Sequence, residues 1–324
     1  MKVLITGGAG FIGSYLAEAC IRRGDAVCAL DDMSTGREAN VAHLAANPNF
    51  QLIQGSVTDE SLVARLVNDC DQVYHLAAAI GMRLVLERPL RTFETNVRGT
   101  EVVFAQAAAA GKSVLFTSTS EMYGLNEHKP SREGDHIVLG DTTKRRWNYA
   151  YTKAAGEVLA MAYHAEQNMP VAIVRLFNTV GPRQTGRYGM VIPTFVRQAL
   201  AGEPLTVHGD GSQTRCFADV TEVAEALIAA MNEPKARGQI LNIGTNDEIT
   251  IRDLALRVKG LTNSSSELVY MSHELAYEHE FDEIKRRIPD ISFARQCIGF
   301  NPRIGIDAIL QGVIAEQKRR LVVA

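Results

Sequence analysis

Residues 5–13 read ITGGAGFIG, and this stretch decides the fold. It follows the apolar run KVLIT and leads into the helical pattern IGSYLAEACIRRG. Gly8, Gly10 and Gly13 satisfy the spacing GxGxxG, and with Gly7 in place of Gly8 the stretch also satisfies GxxGxxG. Glycines let the backbone turn tightly and approach a pyrophosphate, to which the helix N-terminus offers unpaired N–H groups and a partial positive charge. The stretch therefore predicts a dinucleotide-binding loop.

Two acidic residues end the next apolar run, AVCALDD, and they bear on the choice of dinucleotide. Asp31, or its neighbour Asp32, stands near the spacing of ~20 residues that the glycine fingerprint requires. A carboxylate there accepts hydrogen bonds from a ribose diol and repels a 2′-phosphate. We therefore expect NAD rather than NADP, with Arg37 facing solvent.

Short apolar runs alternate with helical patterns through the first half of the chain. The runs KVLIT, AVCAL, FQLIQG, QVYHLA, SVLFTS and VAIVRLF are apolar on successive residues, which is typical of strands buried on both faces. Helical patterns such as TEVVFAQAAAAG and AAGEVLAMAYHAEQN lie between them. This order predicts an α/β fold with a doubly wound parallel Rossmann sheet, to which GQILNIG adds a further strand.

The βα alternation loosens after about Gly181, and we expect a second, smaller α/β substrate domain. The predicted NAD-binding domain comprises residues 1–178 and about 216–248, and the nucleotide-sugar-binding domain residues 179–215 and about 249–324. Asp219 and Glu222 have the spacing of a capping box, which predicts a helix starting at Asp219.

Composition excludes several classes of protein. The 324 residues carry a net charge of −3, which gives no electrostatic attraction to nucleic acid or to an anionic membrane. No apolar run approaches the ~20 residues that span a bilayer. The five cysteines are scattered and the eight histidines do not cluster, so free thiols and no metal site are expected. These features, with an N-terminal apolar run too short for a secretory signal, favour a cytoplasmic protein.

Tyr149 and Lys153 stand four residues apart in NYAYTK. On a helix they share one face, so the ammonium can lie below the phenol. A free phenol has a pKa of ~10 and is a poor base at neutral pH. Lys153 and a positive nicotinamide ring would both favour the phenolate. Tyr151 is expected to pack elsewhere.

With the stretch TSTSEMYG at 117–124, these motifs resemble the extended short-chain dehydrogenase/reductase family over essentially the whole chain. The resemblance implies a catalytic triad of Thr119, Tyr149 and Lys153. Thr119 would hold the reacting oxygen against the phenol. Tyr123 would then have a structural or substrate-packing role and would not be the base.

The glycine loop and the resemblance together place the cofactor. Ser56 stands where the family usually carries an Asp that contacts adenine, and Ala77 and Ala78 in HLAAAIG would pass beneath the cofactor with little bulk. The expected NAD contacts are Gly7, Gly10, Phe11, Ile12, Gly13, Asp31, Ser56, Val57, Leu76, Ala77, Ala78, Tyr149 and Lys153.

The family branch rests on Glu121 in STSE, which looks like the UDP-glucuronate decarboxylases. Dehydratases of the family typically carry Asp where Ser120 stands, so a 4,6-dehydratase is disfavoured. Both residues are expected in the active site. The resemblance also implies substrate contacts to diphosphate or sugar, made by Asn178, Arg215 and Arg287; two planar guanidiniums suit a diphosphate.

The resemblance implies an NAD-dependent enzyme that oxidises a sugar 4-hydroxyl to a 4-ketone. We expect a UDP-glucuronate decarboxylase that forms UDP-xylose or a UDP-4-keto-pentose. The alternatives are a UDP-hexose or UDP-hexuronate 4-epimerase and, in a different class, a non-catalytic NAD-binding regulator. Glu121 and a substrate carboxylate would repel each other, and Arg145, Arg146 or Arg287 can supply the compensating charge.

A homodimer is also expected. The helical segments EVVFAQAAAA and AAGEVLAMAYHAEQ carry small apolar residues on more than one face, which suits close packing across a two-fold axis. The family usually pairs in this way. The alternative is that these faces are wholly buried within one subunit.

Overall fold

The computed structural model describes residues 1–186, 189–272 and 282–323. The strands are β1 (Lys2–Thr6), β2 (Ala26–Asp31), β3 (Phe50–Gln54), β4 (Gln72–His75), β5 (Ser113–Thr119), β6 (Val171–Leu176), β7 (Thr179–Val180), β8 (Leu205–His208), β9 (Thr214–Cys216), β10 (Ala218–Asp219), β11 (Gln239–Ile243), β12 (Glu248–Thr250), β13 (Leu268–Met271) and β14 (Arg286–Arg287).

The α-helices flank and connect these strands. They are α1 (Phe11–Arg22), α2 (Glu60–Asn68), α3 (Met82–Glu87), α4 (Pro89–Phe93), α5 (Gly99–Ala109), α6 (Asn148–Gln167), α7 (Val191–Ala201), α8 (Val220–Asn232), α9 (Ile251–Thr262), α10 (Ser292–Ile298) and α11 (Ile306–Val323). Single turns of other helix types include the 3₁₀ turns Ser120–Tyr123 and Arg145–Trp147 and the π turn Glu94–Arg98.

A seven-stranded parallel sheet confirms the predicted doubly wound fold. Its order is β11-β6-β5-β4-β1-β2-β3. The chain starts at β1 in the middle, runs outward to β3 and returns to β4 on the other side of β1. Neighbouring strands that continue in opposite directions open a crevice at their carboxyl ends. The crevice therefore lies beyond Thr6 and His75.

Apolar layers cover both faces of the sheet, because its strands are apolar on successive residues. One layer includes Leu16 of α1 and Leu227 of α8. The opposite layer includes Leu66 of α2, Phe104 of α5 and Ala160 of α6. This two-sided burial is what the sequence runs predicted.

Smaller sheets follow in the second half of the chain. β8 pairs with β13, and β9 lies between β12 and β14. A separate apolar cluster joins α7, α9 and α11 beneath these strands. β11 returns to the large sheet beside β6, as GQILNIG predicted.

The capping box predicted at Asp219 is only half formed. The Asp219 carboxylate accepts a hydrogen bond from the Thr221 amide at 2.8 Å, so it caps α8. The Glu222 carboxylate instead accepts hydrogen bonds from the amides of Arg303 and Ile304, at 2.6 Å and 3.3 Å. The predicted helix start at Asp219 is confirmed, while a more distant segment supplies the donors to Glu222.

All five cysteines are buried and free of disulfides. No helix in the described parts of the chain combines the length and apolar composition that crossing a bilayer requires.

Candidate active site

A cavity of about 550 Å³ occupies the crevice and extends between the large sheet and the smaller ones. It brings together residues that lie far apart in the sequence. The predicted site residues on its wall are Gly7, Gly10, Phe11, Ile12, Gly13, Asp31, Val57, Leu76, Ala77, Ala78, Thr119, Ser120, Glu121, Tyr149, Lys153, Asn178, Arg215 and Arg287.

The glycine loop forms one end of this cavity. Gly7 has a φ of +73°, and a Cβ there would lie 2.9 Å from the Ala77 amide nitrogen. A Cβ at Gly13 would lie 2.1 Å from the Gly7 carbonyl oxygen. Gly10 caps α1 without a side-chain hydrogen bond, so the amides of the first turn stay available. A diphosphate fits such an uncapped helix N-terminus.

Asp31 and Asp32 both line the cavity, with different surroundings. The Asp31 carboxylate is buried and accepts hydrogen bonds from the amides of Ala9 at 3.0 Å and Met33 at 2.9 Å. Burial raises the pKa of Asp31, and these amides oppose the rise. Asp32 is more exposed and lies 3.4 Å from an Arg91 guanidinium nitrogen. Asp31 thus joins β2 to the glycine loop, and its contact with ribose stays a prediction.

The Ser56 hydroxyl forms its hydrogen bonds with Thr58, outside the cavity. It lies 2.7 Å from the Thr58 hydroxyl and accepts a hydrogen bond from the Thr58 amide at 3.1 Å. The side chain therefore closes the turn after β3, while its neighbour Val57 lines the cavity. The expected cofactor contact of Ser56 stays a prediction.

Tyr149 and Lys153 lie buried on one face of α6, against the end of β5. Burial raises the pKa of the Tyr149 phenol, and the Glu121 charge raises it further. A hydrogen bond with the Thr119 side chain acts in the opposite direction. The Lys153 ammonium donates to the Thr117 carbonyl oxygen at 2.7 Å. Burial lowers the pKa of Lys153 to about 7, opposed by Glu157. The structure thus brings the predicted triad together.

Tyr123 is held away from this chemistry. Its hydroxyl donates to Asn242 Oδ1 at 2.7 Å, and its ring lies 4.9 Å from the Arg175 guanidinium carbon. The residue is only 2% exposed. Of the two roles that the sequence left open for Tyr123, the structure supports the structural one.

We expect Tyr123→Phe to destabilise the protein and leave turnover near the wild-type rate. The variant removes a buried donor and leaves Asn242 Oδ1 without it, a loss of ~1–3 kcal/mol. The free energy of unfolding in urea and the kcat of the same preparation test this. A large fall in kcat at unchanged stability would contradict it.

Two arginines meet on neighbouring strands at the other end of the cavity. Arg287 of β14 is the register partner of Arg215 of β9. Burial lowers the pKa of Arg215 to about 9, and the positive charge of Arg287 contributes. Arg287 also lies 3.6 Å from a Glu121 carboxylate oxygen. Paired guanidiniums in a partly buried site suit an anion with two charged groups.

Asn178 connects the two halves of the wall, because its side-chain amide donates to the Cys216 carbonyl oxygen at 2.9 Å. Ser120 is buried in the turn after Thr119. Of the three arginines considered for a substrate carboxylate, Arg146 and Arg287 line the cavity. Arg145 is exposed and reaches the Leu86 carbonyl oxygen at 3.5 Å.

The sequence reasoning missed the buried ion pair behind the triad. Glu157 follows Lys153 by four residues, so it continues the Tyr149–Lys153 face of α6. Its carboxylate accepts hydrogen bonds from Arg175 Nε at 2.9 Å and from Arg175 Nη2 at 2.8 Å. A carboxylate that continues the spacing of Tyr149 and Lys153 was the available signal.

Comparison with known proteins decides the family. A model of the NAD dependent epimerase/dehydratase family matches residues 3–244. The chain belongs to this family. NAD is accordingly its cofactor, which agrees with the uncapped helix N-terminus and the adjoining Asp31. Within the described residues, no group of three or more potential metal ligands is found.

Members of the NAD dependent epimerase/dehydratase family resemble this chain over nearly its full length. A UDP-N-acetyl-alpha-D-glucosaminuronate decarboxylase of Bacillus cytotoxicus is 42% identical, over 97% of this chain and 96% of the relative. UDP-glucuronic acid decarboxylase 1 of Arabidopsis thaliana is 35% identical, over 99% of this chain and 71% of the relative. The structure of UDP-glucuronic acid 4-epimerase from Bacillus cereus, in complex with UDP-glucuronic acid and NAD, aligns with a TM-score of 0.89 at 27% identity and covers 99% of this chain and 100% of the epimerase.

Proposed function

We propose that this protein is an NAD-dependent UDP-uronate decarboxylase with UDP-glucuronate as its leading substrate. The observation that carries the proposal is the position of Glu121. Its carboxylate lies beside Arg287, and its charge raises the pKa of the Tyr149 phenol. Glu121 therefore stands between the triad and the pair formed by Arg215 and Arg287. The decarboxylases among its relatives support the same reaction.

The first step is removal of a proton from the substrate by the triad. Tyr149 takes the proton of the sugar 4-hydroxyl, while Thr119 keeps that oxygen against the phenol. NAD, which the glycine loop and Asp31 would hold, would supply an acceptor for the C4 hydride and a donor for its return. The Lys153 ammonium, one helical turn from Tyr149 and held by the Thr117 carbonyl oxygen, is assigned the role of favouring the phenolate.

The second step breaks the bond between C5 and the carboxylate. The 4-ketone makes the substrate a β-keto acid, so carbon dioxide leaves and its bonding electrons form an enolate on the C4 oxygen. Tyr149 and Thr119 donate hydrogen bonds to that oxygen. A proton then adds at C5. Release at this stage gives the UDP-4-keto-pentose, and reduction at C4 gives UDP-xylose.

The cation that pairs with the substrate carboxylate comes from Arg146 or Arg287, which both line the cavity. Glu121 already has Arg287 beside it at 3.6 Å. Arg146 is 4% exposed and lies on the same wall. We assign the substrate carboxylate chiefly to Arg146, because its guanidinium lies over the Trp147 ring on the wall of the cavity.

A second candidate differs at the sugar C2. The relative from Bacillus cytotoxicus is named for a substrate that carries an N-acetyl group, and it is 42% identical. The 4-epimerase alternative shares the triad and the arginines, and its structural support is the neighbour from Bacillus cereus. A 4,6-dehydratase and a non-catalytic regulator rank lower, since Ser120 replaces the expected Asp and the triad is assembled.

One experiment separates these candidates. The NAD-loaded protein is incubated in turn with UDP-glucuronate, UDP-N-acetylglucosaminuronate and UDP-glucose, and NMR identifies the products. We expect carbon dioxide and a UDP-pentose from UDP-glucuronate. A six-carbon product inverted at C4 means an epimerase instead. Absence of turnover with all three would favour the regulator.

We also propose a homodimer formed through α6. Val158 is 71% exposed and Met161 36% exposed on this helix, with Ala155 and Ala162 exposed beside them. This apolar stripe lies on the outer face of the subunit. It suits a second copy packed about a two-fold axis.

The dimer proposal predicts that Val158→Glu yields a monomer. Two charges would face each other across the two-fold axis without compensation, which opposes association. Sedimentation at micromolar concentration measures the mass. Leu256→Glu, at an exposed apolar residue of α9, is the matched control and should stay dimeric. Wild-type protein that sediments as a monomer would exclude the proposal.

The domain division and cellular location are proposals as well. We infer that residues 1–178 with about 216–248 bind NAD and the remainder binds the nucleotide sugar, since the cavity lies between the two sets of sheets. Free buried cysteines support the cytoplasm.

A further inference from the structure

A half-buried hydrogen bond connects the start of the catalytic helix with the segment that carries Arg287. Trp147 precedes α6 and is fully buried. Its indole Nε1 donates to Asp282 Oδ2 at 3.0 Å. The other Asp282 oxygen accepts from the Lys144 ammonium at 2.6 Å. This contact joins two parts of the chain more than 130 residues apart.

The indole end of this contact is covered by backbone, while the Asp282 side chain keeps 23% of its surface exposed. A Cβ at Gly140 would lie 2.1 Å from the Trp147 indole nitrogen and 2.9 Å from Asp282 Oδ2. The backbone at Gly140 therefore lies directly over the bond. The Tyr151 hydroxyl holds that backbone by donating to the Gly140 carbonyl oxygen at 2.7 Å. Shielding from water strengthens a hydrogen bond and fixes its geometry.

Arg146 rests on this buried indole. Its guanidinium carbon lies 4.1 Å from the centroid of the Trp147 ring. Stacking on an aromatic face orients the planar guanidinium, which then presents its donors in a defined direction. The same wall of the cavity contains Glu283, Ile284 and Arg287, which follow Asp282 in the chain.

We propose that Trp147 and Asp282 form a bracket that sets the preference of the site for a sugar carboxylate. The bracket holds Arg146 at the sugar end of the cavity. Trp147 and Asp282 are positioning residues, because they act through Arg146. The inference rests on the proposed function, in which a uronate is the substrate.

The test compares two ligands that differ only at C6. UDP-glucuronate carries a carboxylate there and UDP-glucose a hydroxymethyl group. Calorimetry of NAD-loaded protein, in a Tyr149→Phe background that blocks turnover, gives both dissociation constants and that of UDP. If the parent binds neither sugar nucleotide, UDP-N-acetylglucosaminuronate and UDP-N-acetylglucosamine replace the pair.

We expect Trp147→Phe and Asp282→Leu each to reduce the preference for the carboxylate ligand about tenfold, because a misplaced guanidinium loses a charge-assisted hydrogen bond. Binding of UDP and UDP-glucose should stay close to that of the parent. Asp282→Asn keeps an acceptor for the indole and should retain most of the preference. Tyr151→Phe is the matched control, since it loosens the same cluster without touching Asp282 or Arg146.

Several outcomes would overturn the bracket. One is an unchanged preference in both Trp147→Phe and Asp282→Leu. Another is an equal loss of affinity for UDP, UDP-glucose and UDP-glucuronate, which means a general structural role. Lys144→Met, at the half-exposed end of the bracket, provides the same readout if the buried variants do not fold. Equal binding of both ligands by the parent would instead refute the proposed function, and the bracket with it.

Discussion

Replacing Tyr149 with Phe is expected to lower kcat by about 10³-fold, within the range that general acid–base catalysis contributes. The substitution removes one oxygen and leaves the ring in its buried position on α6. NAD affinity should change little, because the glycine loop and Asp31 are untouched. Loss of the phenol deprives the 4-hydroxyl of its base and the enolate of a donor.

The surroundings of Tyr149 determine when its phenolate can form. Burial raises the pKa of the phenol, so the phenolate forms only with nearby positive charge. Lys153 has a pKa lowered to about 7, so its ammonium form is sensitive to pH near neutrality. We therefore expect activity to rest on the charge of Lys153 as much as on the phenol.

A matched control lies one half-turn along the same helix. Tyr151→Phe also removes a phenolic oxygen, but its hydroxyl donates to the Gly140 carbonyl outside the triad. We expect it to retain most of kcat. Initial rates by NMR measure kcat, and the NAD content of the purified protein measures cofactor binding. Retention of kcat within about tenfold in Tyr149→Phe would remove Tyr149 as the base.

The second large effect is on stability. Glu157→Gln should lower the free energy of unfolding by ~3–5 kcal/mol, the cost of leaving a buried charge without its partner. Glu157 and Arg175 have side chains only 6% and 4% exposed. Arg175 also donates to the Glu133 carbonyl oxygen at 3.1 Å, so it cannot turn towards solvent without losing further bonds.

Urea unfolding of three variants tests this effect. Glu157→Gln, Arg175→Met and the double variant form a cycle, and the double variant should cost less than the sum of the two single changes. Glu203→Gln is the control, because the Arg197–Glu203 pair is exposed and should contribute only ~0–1 kcal/mol. Additive losses would show that the two charges act independently.

Much of the fold was open to prediction because its signals are local. The glycine stretch lies between a strand and a helix, and each apolar run of the large sheet is continuous enough to be recognised alone. The triad was accessible for the same reason, since Tyr149 and Lys153 share a helical spacing. Thr119 was assigned from the resemblance of TSTSEMYG to the family.

The missed features depend on distant pairing. β14 has only two residues, which is too short for a strand periodicity that would predict Arg287 beside Arg215. The bond between Trp147 and Asp282 likewise has no local pattern. Glu222 shows the same dependence on distant residues. Its spacing from Asp219 was visible in the sequence, but its hydrogen-bond donors are the amides of residues 303 and 304.

The adjacency of Arg215 and Arg287 has a consequence for inhibition. A free site with two like charges side by side gains from any polyanion that enters, whatever sugar is attached. The diphosphate is the same before and after the reaction, so product and substrate compete for one anchor. We expect UDP alone to be an effective competitive inhibitor, and departure of the finished nucleotide sugar to slow the cycle.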